Sequence, residues 1–342
     1  MKYALLFLLF LPLCLSAQII RGKIVDKDTQ KPIENADVFI DQTSVGTSTD
    51  ASGLFELDTK GLQQQVIINA FGYKSRVFSV MDFKSSVTVN LESESEELQE
   101  VVVDASLFSR KELLKTFRYF FLGNSVNGKK AVIENEDDLV LYYDREKSEL
   151  ICESAKPIRV HNKNLGYHIL FYLKEARISF KGKTINPAFY RESAIFGFTS
   201  FTDLSKKPSQ FKKNRHNTFQ ASANPFWLAF LDNTLRENSY YFYINRVLFD
   251  LDEYFKITEE GMDYKVELIK NPVTSDLRGN EVPAAFNVTH IDRKEQKSLF
   301  YVLAAEFRIN RNGFLMNPQN ILYGGYFADL KMADMLPVDY QP

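Results

Sequence analysis

The chain has 342 residues, of which 45% are hydrophobic and 25% charged, and a formal net charge of -2. These fractions are typical of a soluble globular protein, so they exclude an intrinsically disordered chain and a helical membrane protein. The length exceeds that of one typical domain and suits two.

The first 17 residues form a segment of their own. Met1 and Lys2 give a short, positively charged start, residues 4–15 are almost wholly apolar, and the small residue Ala17 follows. This pattern predicts a secretory signal peptide over 1–17, too short to span a bilayer. We therefore expect an exported protein that resides in the periplasm or at the outer membrane.

The balance of charge changes sign along the chain. Residues 18–104 contain 8 Lys and Arg against 15 Asp and Glu, whereas the chain from 105 onward contains 33 against 29. A change of this kind favours a domain boundary near residue 104. We predict a first domain over 18–92, an acidic linker or strand over 93–104, and a second domain over 105–342.

The first domain consists of short strand patterns separated by turn residues. Asp50 and Gly53, for example, are suited to a hairpin connection. The predicted strands cover 18–26, 36–40, 45–49, 54–58, 66–71, 75–80 and 86–91. Several short strands at this spacing predict a β-sandwich or barrel.

Four short motifs in this region occur in a specific order. They are Ile20-Arg21-Gly22-Lys23-Ile24-Val25-Asp26, Pro32-Ile33-Glu34-Asn35-Ala36-Asp37-Val38, Thr49-Asp50 through Gly53-Leu54-Phe55, and Ala70-Phe71-Gly72-Tyr73. Residues 19–92 thereby resemble the carboxypeptidase regulatory-like domain, which also precedes the plug of many TonB-dependent outer-membrane receptors. The resemblance implies a transthyretin-like β-sandwich of seven to eight strands. It implies a docking or accessory module without catalysis, and its carbohydrate-binding-like fold group makes glycan binding the alternative.

Individual residues of these motifs have structural roles. Gly22 suits a close approach within a strand, and Gly53 and Gly72 suit turns that need a positive φ. Phe55 and Phe71 are expected in the core of the sandwich.

The second part begins with a helix signal. Ser109 and Glu112 form a capping-box pattern, and Gly123 ends the apolar stripe that follows. Asn224 and Pro225 are typical of an N-cap and first position of another helix. Strands are predicted at 139–143, 149–153, 158–161, 167–173, 240–244, 264–269, 285–291 and 299–309. We expect an α+β domain with mainly antiparallel strands and two to three helices, similar to uncharacterised C-terminal regions of envelope proteins.

The sequence contains no pattern typical of an active site. A zinc carboxypeptidase needs closely spaced His and Glu ligands, but no histidine begins a His-x-x-Glu pattern. The four histidines are His161, His168, His216 and His290. We therefore predict no catalytic residue, no metal ligand and no cofactor.

Two nucleophilic residues have structural interpretations. Ser125 lies between Gly123 and Gly128 but lacks the spacing and the preceding strand of a nucleophile elbow, so a helix end and loop are predicted. Cys152 lies in an alternating segment and is predicted to be a half-buried structural thiol.

One basic stretch could contact an anionic surface. Its cations are Lys206, Lys207, Lys212, Lys213 and Arg215. Clustered cations attract lipid headgroups or acidic polysaccharides. A solvated loop explains the same pattern. The aromatic residues of 216–231 are predicted to form a core helix, with a membrane-facing amphipathic segment as the alternative.

These observations predict a non-catalytic, exported cell-envelope protein whose regulatory-like domain is a docking or accessory module. The alternative is a carbohydrate-binding module; a small outer-membrane barrel and a peptidase are weaker alternatives. The expected partner is another envelope protein or a glycan and not a nucleic acid. Peripheral membrane association stays open.

Overall fold

The computed structural model describes residues 18–342 apart from positions 63, 84–85, 95–106, 208, 262, 277 and 294–295. The predicted signal peptide over 1–17 and most of the predicted linker over 93–104 lie outside these residues. The chain divides into two compact units, Met1–Gln99 and Glu100–Pro342.

The described residues of the first unit form seven strands in two sheets. The strands are β1 Ile19–Asp26, β2 Asp37–Ile40, β3 Gly46–Ser48, β4 Leu54–Asp58, β5 Gln65–Asn69, β6 Arg76–Ser79 and β7 Val87–Leu91. One sheet has the order β4-β1-β7 and the other β3-β2-β5-β6. β1 pairs antiparallel with β4 and parallel with β7. The predicted sandwich and its seven strands are confirmed.

The core of the sandwich depends on a close approach at Gly22. A Cβ atom added there would lie 2.7 Å from both the Phe55 ring and the Val87 carbonyl oxygen. The missing side chain lets Phe55 reach the interior, where its ring centroid lies 6.1 Å from that of Phe83. The predicted roles of Gly22 and Phe55 are therefore confirmed.

Phe71 does not lie in the core, and its predicted position there is wrong. Its side chain is 70% exposed. Strand β5 ends at Asn69, and the chain then turns through Gly72 at φ +80°. The strand therefore stops before Phe71, and Ala70 takes the last buried place. Gly53, at φ +74°, also has the positive φ that was predicted.

Two matched substitutions test this difference between phenylalanines. Phe55→Ala removes a ring that is 5% exposed, and we expect it to destabilise the protein by about 3–4 kcal/mol. Phe71→Ala should change the stability by less than about 0.5 kcal/mol. Urea unfolding followed by circular dichroism measures both; similar losses for the two variants would contradict the assignment.

The second unit begins with helices on a six-stranded sheet. The helices are α1 Arg110–Leu122, α2 Val126–Lys130 and α3 Lys212–Ala221; the strands are β8 Ala131–Ile133, β9 Val140–Asp144, β10 Glu149–Glu153, β11 Ile158–Asn162, β12 Tyr167–Phe180 and β13 Tyr190–Asp203. The sheet has the order β8-β11-β12-β10-β9, and β13 pairs along the other side of β12. All of its pairs are antiparallel.

Helix α1 forms as the sequence predicts. The Ser109 hydroxyl accepts a hydrogen bond from the Glu112 N–H, and the Glu112 carboxylate accepts one from the Ser109 N–H, which completes the capping box. Leu113, Phe117 and Phe121 lie on one face and are buried against the sheet residues. Gly123 ends the helix at φ +86°.

The remaining elements surround a second core. They are α4 Asn224–Leu231, α5 Tyr326–Asp329, β14 Tyr240–Ile244, β15 Val247–Leu248, β16 Phe255–Glu260, β17 Asp263–Leu268, β18 Val273–Ser275, β19 Glu281–Pro283, β20 Phe286–His290, β21 Ser298–Val302, β22 Glu306–Asn310 and β23 Ile321–Gly325. The sheets have the orders β15-β14-β20-β21-β23, β16-β17-β22 and β18-β19. The predicted mainly β, antiparallel architecture is confirmed, but the described residues of the second unit form five α-helices and not the predicted two to three.

Helix α4 supplies the centre of this core. Phe226, Trp227 and Phe230 are buried against aromatic side chains of the surrounding strands, so the predicted core helix is confirmed. Asn224 is the first residue of the helix and not its N-cap. The Ser222 hydroxyl accepts a hydrogen bond from the Asn224 N–H at 3.2 Å, which replaces the predicted cap.

Candidate functional site

A cavity of about 840 Å³ lies in the second unit. This volume is in the range of small-molecule sites. The ends of α1 and α5, the loop before α2, one face of α3 and the segment around residue 331 surround it. Its lining combines side-chain amides and hydroxyls with exposed aromatic rings, which favours a polar ligand.

A network of hydrogen bonds fixes the polar wall. The Ser125 hydroxyl and the Asn127 amide donate to the same carboxylate oxygen of Asp334, at 2.7 and 2.9 Å. Asn127 also donates to the Thr218 hydroxyl at 3.0 Å. Asn127 and Asp334 are both buried. The network therefore joins three distant segments of chain and holds these polar groups in place without a ligand.

The network continues to the cavity mouth through a second set of amides. Asn164 donates to the Asn127 amide oxygen at 2.6 Å. Its own amide oxygen accepts from Lys130 Nζ at 2.9 Å, and its backbone oxygen accepts from the Asn214 amide at 2.9 Å. Asn217 on α3 lines the cavity and is exposed. Amide groups of this kind suit the hydroxyl groups of a sugar.

Aromatic rings form another part of the lining. Tyr119 and Tyr190 are 43% and 40% exposed, and Phe120 lies between them in contact with both rings. Tyr326 also lines the cavity. Burial raises the pKa of the Tyr326 hydroxyl, which therefore stays neutral at physiological pH. Exposed rings beside fixed polar groups are suited to an amphipathic, hydroxyl-rich ligand.

Local turn chemistry brings the polar wall together. Gly123 ends α1, and two residues later the Ser125 hydroxyl caps α2 by accepting from the Gly128 N–H at 3.0 Å. Position 128 must be glycine, because a side chain there would collide with the Gly123 carbonyl oxygen. The predicted helix end at Gly123 is confirmed, but the predicted loop is wrong in part, because α2 begins at Val126; Ser125 also lines the cavity.

The structure of the basic stretch differs from the solvated loop that the sequence analysis considered. Lys212, Lys213 and Arg215 belong to α3 and not to a loop, whereas Lys206 and Lys207 precede the helix. The four lysines are exposed. Contact of these lysines with an anionic surface stays a prediction.

Arg215 does not belong to this set of surface cations, because its side chain is only 8% exposed. It donates to both carboxylate oxygens of Asp203 at 2.8 Å, and to the Leu165 and Gly166 carbonyls at 2.7 and 3.2 Å. Its guanidinium stacks 3.9 Å from the Tyr167 ring centroid. These bonds hold the pKa of Asp203 well below its usual range. Arg215 is therefore a structural residue that cannot contact a surface ligand.

Two histidines come together in the six-stranded sheet. His161 and His168 lie directly opposite each other on β11 and β12. The Glu134 carboxylate lies 3.0 Å from His168 Nε2 and 3.7 Å from His161 Nδ1. Within the described part of the chain, no group of three or more His, Cys, Asp or Glu side chains is arranged to hold a metal ion.

Cys152 lies on β10 of this sheet and is 2% exposed, so it is fully buried and not half-buried as predicted, and burial raises the pKa of its thiol to about 12. We predict that the native protein does not react with a maleimide at pH 8, because the thiolate fraction and the access are both small. The unfolded protein in urea should be labelled completely. Mass spectrometry measures both states; rapid labelling of the native chain would contradict the burial.

Comparisons with known proteins define the class of the first unit. The family model of the CarboxypepD_reg-like domain matches residues 20–103, so the first unit carries a domain of this family. Among solved structures, a proposed membrane-associated protein of unknown function from Bacteroides fragilis is 9% identical, with a TM-score of 0.17 over 85% of this chain and 92% of that chain. A TM-score this low carries no conclusion about fold or function. No curated protein matches the chain.

No helix among the described residues is long and apolar enough to cross a bilayer.

Proposed function

We propose that this protein is a non-catalytic, exported envelope protein that binds a saccharide in the cavity of its second unit. The CarboxypepD_reg-like domain is its docking or accessory module, and its partner is another envelope protein. The single observation that carries the proposal is the cavity itself. Its lining brings the polar side chains of Ser125, Asn127 and Asn164 into one cavity with the exposed rings of Tyr119 and Tyr190.

The lining suits a ligand with many hydroxyl groups. Side-chain amides both donate and accept hydrogen bonds, and they match the alternating donors and acceptors of a sugar ring. Asn164, Asn214 and Asn217 bring such groups to the mouth of the cavity. The exposed faces of Tyr119 and Tyr190 offer apolar surface to the C–H face of the same ring.

Binding accounts for this lining better than catalysis does. The described residues that line the cavity include neither histidine nor cysteine. The Ser125 hydroxyl donates to the Asp334 carboxylate and also caps a helix, so a structural role already occupies it. An activated serine needs a base that is free to take its proton, whereas the Asp334 oxygen that accepts from Ser125 also accepts from Asn127.

A glycan array followed by titration calorimetry tests the proposal, with the full mature chain. Tyr119→Ala removes an exposed ring from the cavity wall, and we expect it to weaken the affinity for the array hit about tenfold, or about 1.4 kcal/mol. Tyr241→Ala is the matched control. Tyr241 is 47% exposed on β14 and is absent from the cavity lining, so its loss should leave the affinity unchanged.

Failure of every saccharide on the array would overturn the proposal. Equal affinities of wild type and Tyr119→Ala would also contradict it, because the binding site would then lie outside this cavity.

A further inference from the structure

Lys331 lies in the cavity lining in an unusual setting. Its aliphatic stem packs on the end of α1, since a Cβ atom added to Gly123 would lie 3.1 Å from Lys331 Cβ and 3.2 Å from its Cγ. Its Nζ donates to the Ala328 carbonyl at 2.8 Å. Burial lowers the pKa of this amine. The packing therefore fixes the amine at the cavity and withdraws part of it from water.

The ammonium group has no ionic partner within the described residues. Among the described residues, neither Lys331 Nζ nor the Nζ of Lys130, the other lysine in the lining, forms an ion pair with a carboxylate; Lys130 Nζ donates to the neutral Asn164 amide oxygen. A partly buried cation without a counter-ion is costly, so proteins normally pair it. Both cavity lysines are left with only neutral oxygen partners.

The nearby aspartates do not fill this role. One carboxylate oxygen of Asp334 accepts from Ser125 and Asn127, and the other faces the Lys331 backbone N–H at 3.4 Å. Asp329 is exposed and forms no ion pair with Lys331; its charge raises the Lys331 pKa, but by less than burial lowers it.

We propose that the ligand itself supplies the missing anion: the cavity takes an acidic saccharide whose carboxylate or phosphate pairs with Lys331. This inference rests on the proposed function and narrows it. The amides and tyrosines bind the sugar ring, Lys331 binds the acidic group, and Lys130 at the mouth adds a second positive charge.

The first turn of α3 adds to the positive field beside the cavity. Lys212 and Lys213 directly precede Asn214, which lines the cavity. Cations in the first turn face the positive end of the helix dipole, so they do not stabilise the helix. Clustered positive charge raises the rate at which an anionic ligand associates, in a salt-dependent way.

The test is calorimetry of the full mature chain with a short oligogalacturonate and with its methyl ester, which keeps the sugar but removes the charge. We expect the methyl ester to bind about tenfold more weakly to wild type. In Lys331→Gln the two ligands should bind within about twofold of each other. Lys130 is exposed, so we expect Lys130→Gln to fold normally. This variant should reduce the difference in affinity between the acid and its methyl ester only partly. Lys111→Gln is the control, because Lys111 is exposed on α1 outside the cavity lining. This variant should keep the full tenfold difference in affinity between the two ligands.

Four outcomes separate the possibilities. Equal binding of both ligands to wild type would overturn this inference and leave the proposed function standing. Full discrimination in Lys331→Gln would overturn the role of Lys331. Binding of inorganic phosphate as tight as that of the oligosaccharide would contradict a saccharide ligand and indicate an anion site. Failure of these ligands and of every saccharide on the array would overturn the proposed function as well.

Discussion

Replacing Phe226 by alanine is expected to lower the free energy of unfolding by about 4 kcal/mol. The Phe226 ring is fully buried at the centre of the second core, the aromatic cluster around α4. Six aromatic rings lie within 6.3 Å of its centroid, those of Trp227, Phe230, Tyr240, Phe242, Phe300 and Phe327. Rings packed this closely cannot all move inward, so the substitution leaves a cavity as well as losing the burial of the ring.

Equilibrium unfolding in urea, followed by tryptophan fluorescence, measures this loss directly because Trp227 is the only tryptophan of the chain. Phe196→Ala is the matched control: its ring is 56% exposed on β13, and its loss should cost less than about 1 kcal/mol. Comparable losses in the two variants would show that α4 is not the centre of this core.

Replacing Arg215 by methionine is expected to destabilise the protein by about 3 kcal/mol. The guanidinium holds the start of α3 to the turn before β12 through the Leu165 and Gly166 carbonyls and stacks on Tyr167. Methionine fills much of the volume but donates no hydrogen bond. The two carbonyls would then be left with fewer partners in a buried place, which costs about 1–3 kcal/mol.

Lys213→Met is the matched control for this prediction. It removes the same charge from the same helix, but Lys213 is exposed, and its replacement should change the stability by less than about 0.5 kcal/mol. Thermal unfolding by circular dichroism ranks the variants. A larger loss for Lys213→Met than for Arg215→Met would contradict the assignment of Arg215 as structural.

The pH dependence of the Arg215 pair has a definite sign. Because the folded pKa of Asp203 lies below its unfolded value of about 3.9, the pair contributes fully above that value. Its contribution is lost as the pH falls through the folded pKa. The difference in stability between wild type and Arg215→Met should therefore stay constant from neutral pH to about pH 5 and narrow only in strong acid.

The first unit could be predicted from the sequence almost entirely. Its strands are short, β4 alternates strictly between exposed and buried residues, and glycines or polar turns separate the strands. Leu54–Asp58 agrees residue for residue with the prediction. Phe71 was placed wrongly because a motif position was taken to imply burial, whereas the strand ends at Asn69 and the residue lies in a turn.

The long strands of the second unit were harder to predict. β12 was predicted to end at Leu173, but it continues to Phe180. The register of its pairing with β13 shifts between Leu173 and Glu175. The strand can therefore include the charged residues Lys174 and Glu175. β13 was not predicted, because its exposed edge has no regular alternation. The single strand predicted over 299–309 is two strands, β21 and β22, which belong to different sheets.

The candidate site could not be predicted from local patterns. Ser125 and Asp334 are 209 positions apart, and Asn127 and Thr218 are 91 apart, so only the folded chain brings them together. Single asparagines give no periodic signal and carry no recognised spacing. The basic stretch did point to α3, which lines the cavity, but it included Arg215, whose burial depends on the distant Leu165 and Gly166 carbonyls.

The most direct test of the central claim is a crystal structure of the mature chain soaked with the saccharide that binds best in solution. We predict that the sugar ring lies in the cavity of the second unit, within hydrogen-bond distance of Asn164 or Asn217 and against Tyr119. Its acidic group should lie within 4 Å of Lys331 Nζ, the usual limit for an ion pair. A saccharide bound on the sandwich domain, with this cavity empty, would contradict the account.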